Sequence, residues 1–284
     1  MIGRGMSHGA GTIVNAIATG KGAAFGLDLR TEAEVQLDGS GEIRVRIEGF
    51  EGEGTLLAER CVRNVLERAA KGEGYGAKVT TRSQIPVSRG LKSSSAAANA
   101  IVLATLAALG EEAEPLEAIR IGTRSAIEAK VSVTGAFDDA CASLLGGAVL
   151  TDNRAERVVR RTAMPEGLKA VVHVPPFQVR KGCLPLDRIG AVAPAAEAAF
   201  ERALGDDFPG AMLINSLAYT SALGLSMEPA YRALGAGAWA AGLSGTGPAT
   251  VILVREEGLE DVAALFEPGQ IMITSLFNGQ EEGA

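Results

Sequence analysis

The chain reads as an α+β protein of two domains, each mixing helices and strands. Three observations lead there. Its 284 residues exceed one ordinary domain. Strand-like alternation and helix-like spacing recur in both halves without an internal repeat. Charge rises and hydrophobicity dips across 152–168, which divides a first domain, 1–155, from a second, 156–284.

The elements follow in order. Residues 1–30 are rich in Gly and Ala, with a mixed apolar run at 10–18 and Gly20, Gly22 and Gly26 around Lys21. Val35-Gln36-Leu37 and Ile43-Arg44-Val45-Arg46-Ile47 alternate about Asp38-Gly39-Ser40-Gly41, which predicts a hairpin. Leu57, Cys61, Val65 and Leu66 fall near helical spacing and predict a helix over 56–71. A strand is expected at 77–85 and an Ala-rich helix at 96–109, stopped by Gly110. Pro115 suits the first turn of the next helix, which runs to about Lys130. After the break at Thr134-Gly135 come a small-residue segment and a strand at 148–150. The second half predicts strands at 170–174, 250–254 and 271–275. Its helices are expected at 194–204, after Pro209, after Pro229 and at 259–266.

Composition excludes several functions. Hydrophobic residues make up 47%, ample for a packed core, so disorder is not expected. Aromatics are only 4%, too few for the stacking platforms of single-strand binders. The net charge is −7, and the basic cluster at 154–161 is interrupted, so no nucleic-acid partner is expected. Cys61, Cys141 and Cys183 form neither a C-x-x-C pair nor an even set, and two histidines cannot build a His-based zinc site. No apolar run has the length of a signal peptide or a membrane span. These features predict a soluble, cytoplasmic protein without a membrane partner, and they are silent on oligomeric state.

Residues 86–97 carry the most chemistry: Pro86-Val87-Ser88-Arg89-Gly90-Leu91-Lys92-Ser93-Ser94-Ser95-Ala96-Ala97. Gly90 permits a left-handed turn or a close backbone approach. Three serines then fall where the first N–H groups of a helix have no intrahelical partner, a ready anion site. Lys92 adds a formal charge. Together they describe a cradle for nucleotide phosphates. It is not a Walker A loop: near Gly20-Lys21-Gly22, Asn15 stands where the first Gly belongs and Gly22 where Ser or Thr belongs. No G-x-G-x-x-G follows a strand, so a dinucleotide site is unsupported. Ser244-Gly245-Thr246-Gly247-Pro248 is a second small-residue loop whose N–H groups can approach an oxyanion. Asp139 lies in an apolar segment, where a carboxylate is costly unless paired or used. Adjacent Asp138 points about 100° away on a helix, so one of the two is expected to face a cleft.

In combination these motifs resemble the GHMP kinase superfamily, whose phosphate motif is P-x-x-x-G-L-G-S-S-A-A. Counted from Pro86, Gly90-Leu91 and Ser93-Ser94 are in register, while Lys92 replaces a glycine and Ser95 an alanine. Asp139 stands seven residues before Gly146, as the superfamily's catalytic aspartate stands before its glycine pair. Glu128 stands eleven residues before Asp139, where mevalonate kinase-like members carry a magnesium ligand. Gly90-Leu91-Lys92-Ser93-Ser94-Ser95, with Ser88-Arg89 before it, is similar to the archaeal-type shikimate kinases. So are residues 12–22 and Gly135-Ala136-Phe137-Asp138-Asp139-Ala140.

The resemblance implies a GHMP kinase fold with the active site in a cleft between the domains. It implies ATP-dependent phosphorylation of the shikimate 3-hydroxyl, on the route to chorismate and aromatic amino acids. ATP would lie on residues 86–96 and on Gly245, Thr246 and Gly247. Ser94 and Glu128 would hold Mg²⁺. Asp139 would act as base or as the orienting carboxylate for the hydroxyl. Lys21 would neutralise that region or bind substrate. Arg180-Lys181 or Arg124 would take the substrate carboxylate. Another GHMP kinase, such as a homoserine kinase, or a catalytically inactive sensor on this fold are the competing readings.

Overall fold

The structure is a computed structural model that describes residues 1–49, 54–70, 74–86, 90–132, 134–177 and 184–279. The chain begins with two long antiparallel strands, β1 (Ile2–Val14) and β2 (Lys21–Asp38). Glycine hides β1 from a reading of the sequence. A Cβ on Gly3 or Gly5 would run into the backbone of the first Ala-rich helix, so the glycines let that helix lie directly on the strand. The helix is α2 (Ser93–Leu109), and its small residues make the same close approach from the other side.

The expected hairpin at 38–41 is not formed. β3 (Ile43–Ile47) pairs in parallel with β4 (Gly76–Ser83), and β4 lies between β3 and its antiparallel neighbour β2. Parallel strands need a crossover, and α1 (Leu56–Arg68) supplies it. Cys61, Val62 and Val65 on α1 pack with Val35, Leu37, Val79 and Ile101, a core that a local hairpin would leave unassembled. Long-range burial thus overrides a strong turn signal.

After α2 come α3 (Pro115–Glu128) and α4 (Phe137–Leu145), then β5 (Ala148–Asp152) and β6 (Arg157–Thr162). β5 pairs with the start of β2 and with β6. The expected domain break at 155/156 falls in the turn of this β5–β6 hairpin. Arg157, Arg160 and Arg161 explain the charge signal differently, since charged side chains are common on strands at a sheet edge.

The second half holds β7 (Leu168–His173), α5 (Leu186–Ala191), α6 (Ala193–Leu204), α7 (Phe208–Leu223) and α8 (Glu228–Gly235). β8 (Ala240–Leu243), β9 (Thr250–Arg255), α9 (Leu259–Ala263) and β10 (Ile271–Phe277) follow. β10 pairs with β7 and, through Leu276 and Phe277, with Leu27 and Gly26 of β2. That pairing joins the strands in the order β3-β4-β2-β10-β7-β9-β8. One core cluster also spans the halves, setting Ile13, Phe25 and Leu150 with Phe200, Met212 and Val251. Loops of both halves meet above that core.

Candidate active site

A cavity of about 370 Å³ opens where the start of α2, the end of α3, the start of α4, the β1–β2 loop and the β8–β9 loop converge. Gly90, Lys92, Ser93, Ser94 and Ser95 line it, together with Asp138, Asp139, Gly245 and Thr246. Leu91 and Ala96 instead turn into the core and anchor the helix start. Pro86 is described but does not line the cavity, and Val87, Ser88 and Arg89 lie outside the described residues.

The two small-residue loops are tied together. Ser244 Oγ donates to Gly90 O at 2.8 Å. Gly90 has φ 89° and lies so close to the Ser244 carbonyl that a Cβ there would collide with it. Gly245 N donates to Thr12 Oγ1 at 2.8 Å, and Asn15 Nδ2 donates to Gly245 O at 3.0 Å. Asn15 is itself held by Asn215 Oδ1 on its N–H, at 2.9 Å, and by the Tyr219 hydroxyl on its carbonyl, also at 2.9 Å. Residues 12–15 thus fix the glycine loop in place. Gly247 stays in the same turn, its N–H bonded to Ser244 O at 3.0 Å, but it does not line the cavity. Sequence reasoning quoted Thr12 and Asn15 without giving them a role. The signal is a pair of polar residues in the otherwise apolar run around the end of β1.

Lys92 caps α2 in the left-handed region, φ 63°. Its Nζ sits 2.9 Å from Asp139 Oδ1, with both side chains about nine-tenths buried. This ion pair joins the phosphate loop to the carboxylate that the glycine-pair spacing singled out. Beyond Lys92, Asp139 Oδ1 takes no hydrogen bond among the described residues.

Asp138 also lines the cavity, contrary to the expectation that one of the two aspartates would. Both lie in the first turn of α4, which meets the cavity end-on, so neighbouring side chains diverge around a helix end rather than onto opposite faces. Asn153 Nδ2 donates to Asp138 Oδ1 at 2.8 Å, and Thr151 Oγ1 donates to Asn153 Oδ1 at 2.7 Å. Gly22 leaves room for the carboxyl: a Cβ there would press on Asp138 Oδ2. Burial, and then the charge of Asp139, push the Asp138 carboxyl up to about 7.

Two expected site residues are held elsewhere. Glu128 accepts from Asn64 Nδ2 at 3.1 Å and from Arg124 Nε at 2.9 Å, and does not line the cavity. Ile127 faces the cavity, and the helical rotation of about 100° per residue turns Glu128 toward α1. Burial pulls its carboxyl up, but the Asn64 and Arg124 bonds outweigh this and hold it below the usual range. Lys21 Nζ bonds Glu197 Oε2 at 3.0 Å on the half-exposed surface, outside the cavity lining; that bond raises its pKa. Arg124 is spent on Glu128 at an exposed position. Arg180 and Lys181 lie outside the described residues.

Lys130, which sequence reasoning overlooked as a site residue, does line the cavity. Three of the described non-glycine residues with positive φ share this lining: Lys92, Lys130 (φ 56°) and Ala136 (φ 53°). Each such residue costs roughly 1–3 kcal/mol, and strain of this kind collects at functional sites.

Comparisons with known proteins identify the family. The sequence pattern of the GHMP kinases N terminal domain matches residues 57–147. A shikimate kinase of Methanothrix thermoacetophila is 48% identical over 92% of this chain and 88% of its own length. A shikimate kinase of Methanocella arvoryzae is 45% identical over 100% of this chain and 96% of its own. Among solved structures, a homoserine kinase from Cytophaga hutchinsonii superposes with a TM-score of 0.76 at 18% identity, covering 98% of this chain and 96% of that one. The Methanococcus jannaschii mevalonate kinase superposes at 0.75 and 15% identity, covering 99% and 98%. At those identities the structures speak for the fold alone, whereas the sequence relatives extend over the whole chain. On the strength of these full-length relatives, the chain belongs to the GHMP kinase superfamily, among its archaeal-type shikimate kinases.

Proposed function

We propose that this chain transfers the terminal phosphoryl group of ATP to the 3-hydroxyl of shikimate. The observation that carries the reading is the buried Lys92–Asp139 pair beside the open start of α2, in a chain 40–48% identical to shikimate kinases over nearly its full length. The free N–H groups at Ser93, Ser94 and Ser95 bind the phosphates, helped by the positive end of the helix dipole. The Gly245-Thr246 turn faces the same space and adds the Thr246 N–H, Gly245 N being held by Thr12 Oγ1. Asp139 orients the acceptor hydroxyl and receives its proton as the oxygen bonds to phosphorus. The bond from that phosphorus to the bridging oxygen breaks, and ADP leaves with the electron pair. Lys92 balances the charge of the Asp139 carboxylate while it waits. Such transfer needs mainly positioning and charge neutralisation, which these groups supply.

Mg²⁺ suits this donor set. Among the described residues no group of three His, Cys, Asp or Glu side chains forms a cage. Mg²⁺ usually keeps waters and phosphate oxygens with one or two protein ligands. The Ser94 hydroxyl is the chain's ligand in this reading, and Glu128 is not. When bound, the ion neutralises phosphate charge. Among the described residues no helix is long and apolar enough to cross a membrane.

The test is ADP release by the pure protein with ATP and Mg²⁺, offered shikimate, homoserine or mevalonate. Shikimate-dependent release is expected. Turnover of homoserine or mevalonate in place of shikimate would keep the superfamily and overturn the substrate. No turnover of any of the three would favour a sensor.

A further inference from the structure

Lys130 carries a feature that the proposed transfer does not use. It is an exposed lysine in the left-handed region, φ 56°, immediately after the C-cap of α3, and its side chain has no ion pair or hydrogen bond among the described residues. Its backbone closes the helix with the bonds of a Schellman-type ending: Lys130 N to Ile127 O at 2.9 Å and Val131 N to Ala126 O at 3.1 Å. That position is ordinarily glycine, because only glycine adopts it without strain. Asp206 ends α6 with the same pair of bonds, so the ending is a backbone device, and what sets Lys130 apart is the cavity that it lines.

The packing of α3 on α2 says what the lysine faces. Gly122 lies against Ala98 and Asn99. One turn further along α3, Ala126 and Ile127 line the cavity with Ser94 and Ser95, one turn back along α2. The helices therefore run in opposite directions, and the end of α3 passes over the start of α2. Lys130 comes after that crossing and lines the same cavity as Ser93, Ser94 and Ser95. Of the lysines lining it, Lys92 is committed to Asp139.

We infer that Lys130 is a binding residue for the β- and γ-phosphates of the nucleotide, closing from α3 the cradle that α2 opens. The inference rests on the phosphotransfer reading only in taking the cavity as a nucleotide site. The shared chemistry is an oxyanion, and an acceptor carboxylate could also meet an ammonium, so the experiment separates the two.

Lys130→Gly is the informative variant. It removes the ammonium and places at this position the residue that the backbone prefers, so it folds. ATP and adenosine binding are measured by calorimetry without acceptor, alongside thermal unfolding and the separate KM values for ATP and shikimate. The expected result is a melting temperature at or above wild type, with ATP binding weakened about 10- to 100-fold, the range for a charge-assisted bond. Adenosine binding and the shikimate KM stay unchanged, and Lys130→Arg restores much of the ATP affinity. Unchanged ATP binding in Lys130→Gly would overturn the inference, as would a rise in the shikimate KM alone, which would give the lysine to the acceptor. A fall in melting temperature with unchanged ATP binding would make it a structural cap. If wild type bound ATP but turned over no shikimate, the substrate assignment would fail while the binding comparison still decided the role of Lys130.

Discussion

The start of α2 and the end of α3 face one cavity and carry the same device in opposite states. Each presents a lysine held in the left-handed region, Lys92 at φ 63° and Lys130 at φ 56°. Lys92 is nine-tenths buried and paired with Asp139, while Lys130 is exposed and unpaired among the described residues. Strain at the first position is offset by a buried ion pair that sets two chain segments against each other. Strain at the second is offset by the closing backbone bonds of α3, which leave the ammonium without a partner among the described residues. The difference teaches that one backbone state can either lock a lysine into the protein or leave its ammonium open to the cavity.

The sharpest way to break this comparison is to make the paired lysine resemble the unpaired one. Lys92→Met leaves the Asp139 carboxylate buried beside Asp138 without its cation, which typically costs about 3–5 kcal/mol. A urea midpoint that falls accordingly, with activity lost, is expected. The double variant Lys92→Met/Asp139→Leu should recover part of that stability without recovering activity. Equal stability of the single variant and wild type would show that the pair contributes nothing.

Asp139→Asn tests the chemical half. A positioned base contributes about 10²–10⁴-fold, so kcat should fall by that order while ATP binding, read by calorimetry, persists. Near-normal kcat would transfer the role to Asp138.

Asp138 gives a pH signature. Its folded-state pKa lies near 7, above its ordinary 3.8. The folded protein keeps a proton that the unfolded chain releases above about pH 4, so the contribution of this group is full below that point. It declines as pH rises toward 7. Asp138→Asn cannot ionise, so its stability relative to wild type should rise from pH 4 to pH 7 in urea titrations. A constant difference across that range would contradict the assigned burial.

The smallest effects are expected at Lys21 and Glu128, the two proposed site residues that do not line the cavity. Lys21→Ala breaks a half-exposed ion pair with Glu197 and should cost below about 1 kcal/mol, leaving kcat unchanged. Glu128→Gln keeps the Asn64 bond and should likewise leave the Mg²⁺ dependence of kcat unaltered. A tenfold loss in either would return that residue to the machinery.

What was legible in the sequence was local. Gly90, the serines and the Gly245-Thr246 turn announce themselves because glycine and helix-start hydroxyls act within a few residues of themselves. Asp139 was legible through its spacing to Gly146 on one short helix. The pairings were not: Lys92 meets Asp139, and Thr12 and Asn15 meet Gly245, only after distant segments converge. Glu128 had the right spacing, but helix rotation turned it toward Asn64. The turn at 38–41 read as a hairpin because the competing partner, β4, arrives only after α1. Lys130 left no sequence signal, since a positive φ at a lysine is invisible until the backbone is known.

The most direct measurement of the whole account is a structure of the protein with a non-hydrolysable ATP analogue and shikimate bound together. The account predicts phosphates against the N–H groups of Ser93, Ser94 and Ser95, Lys130 Nζ on the terminal phosphates, and the shikimate 3-hydroxyl within hydrogen-bond distance of Asp139. Phosphates away from the start of α2, or an acceptor hydroxyl remote from both Asp138 and Asp139, would contradict it.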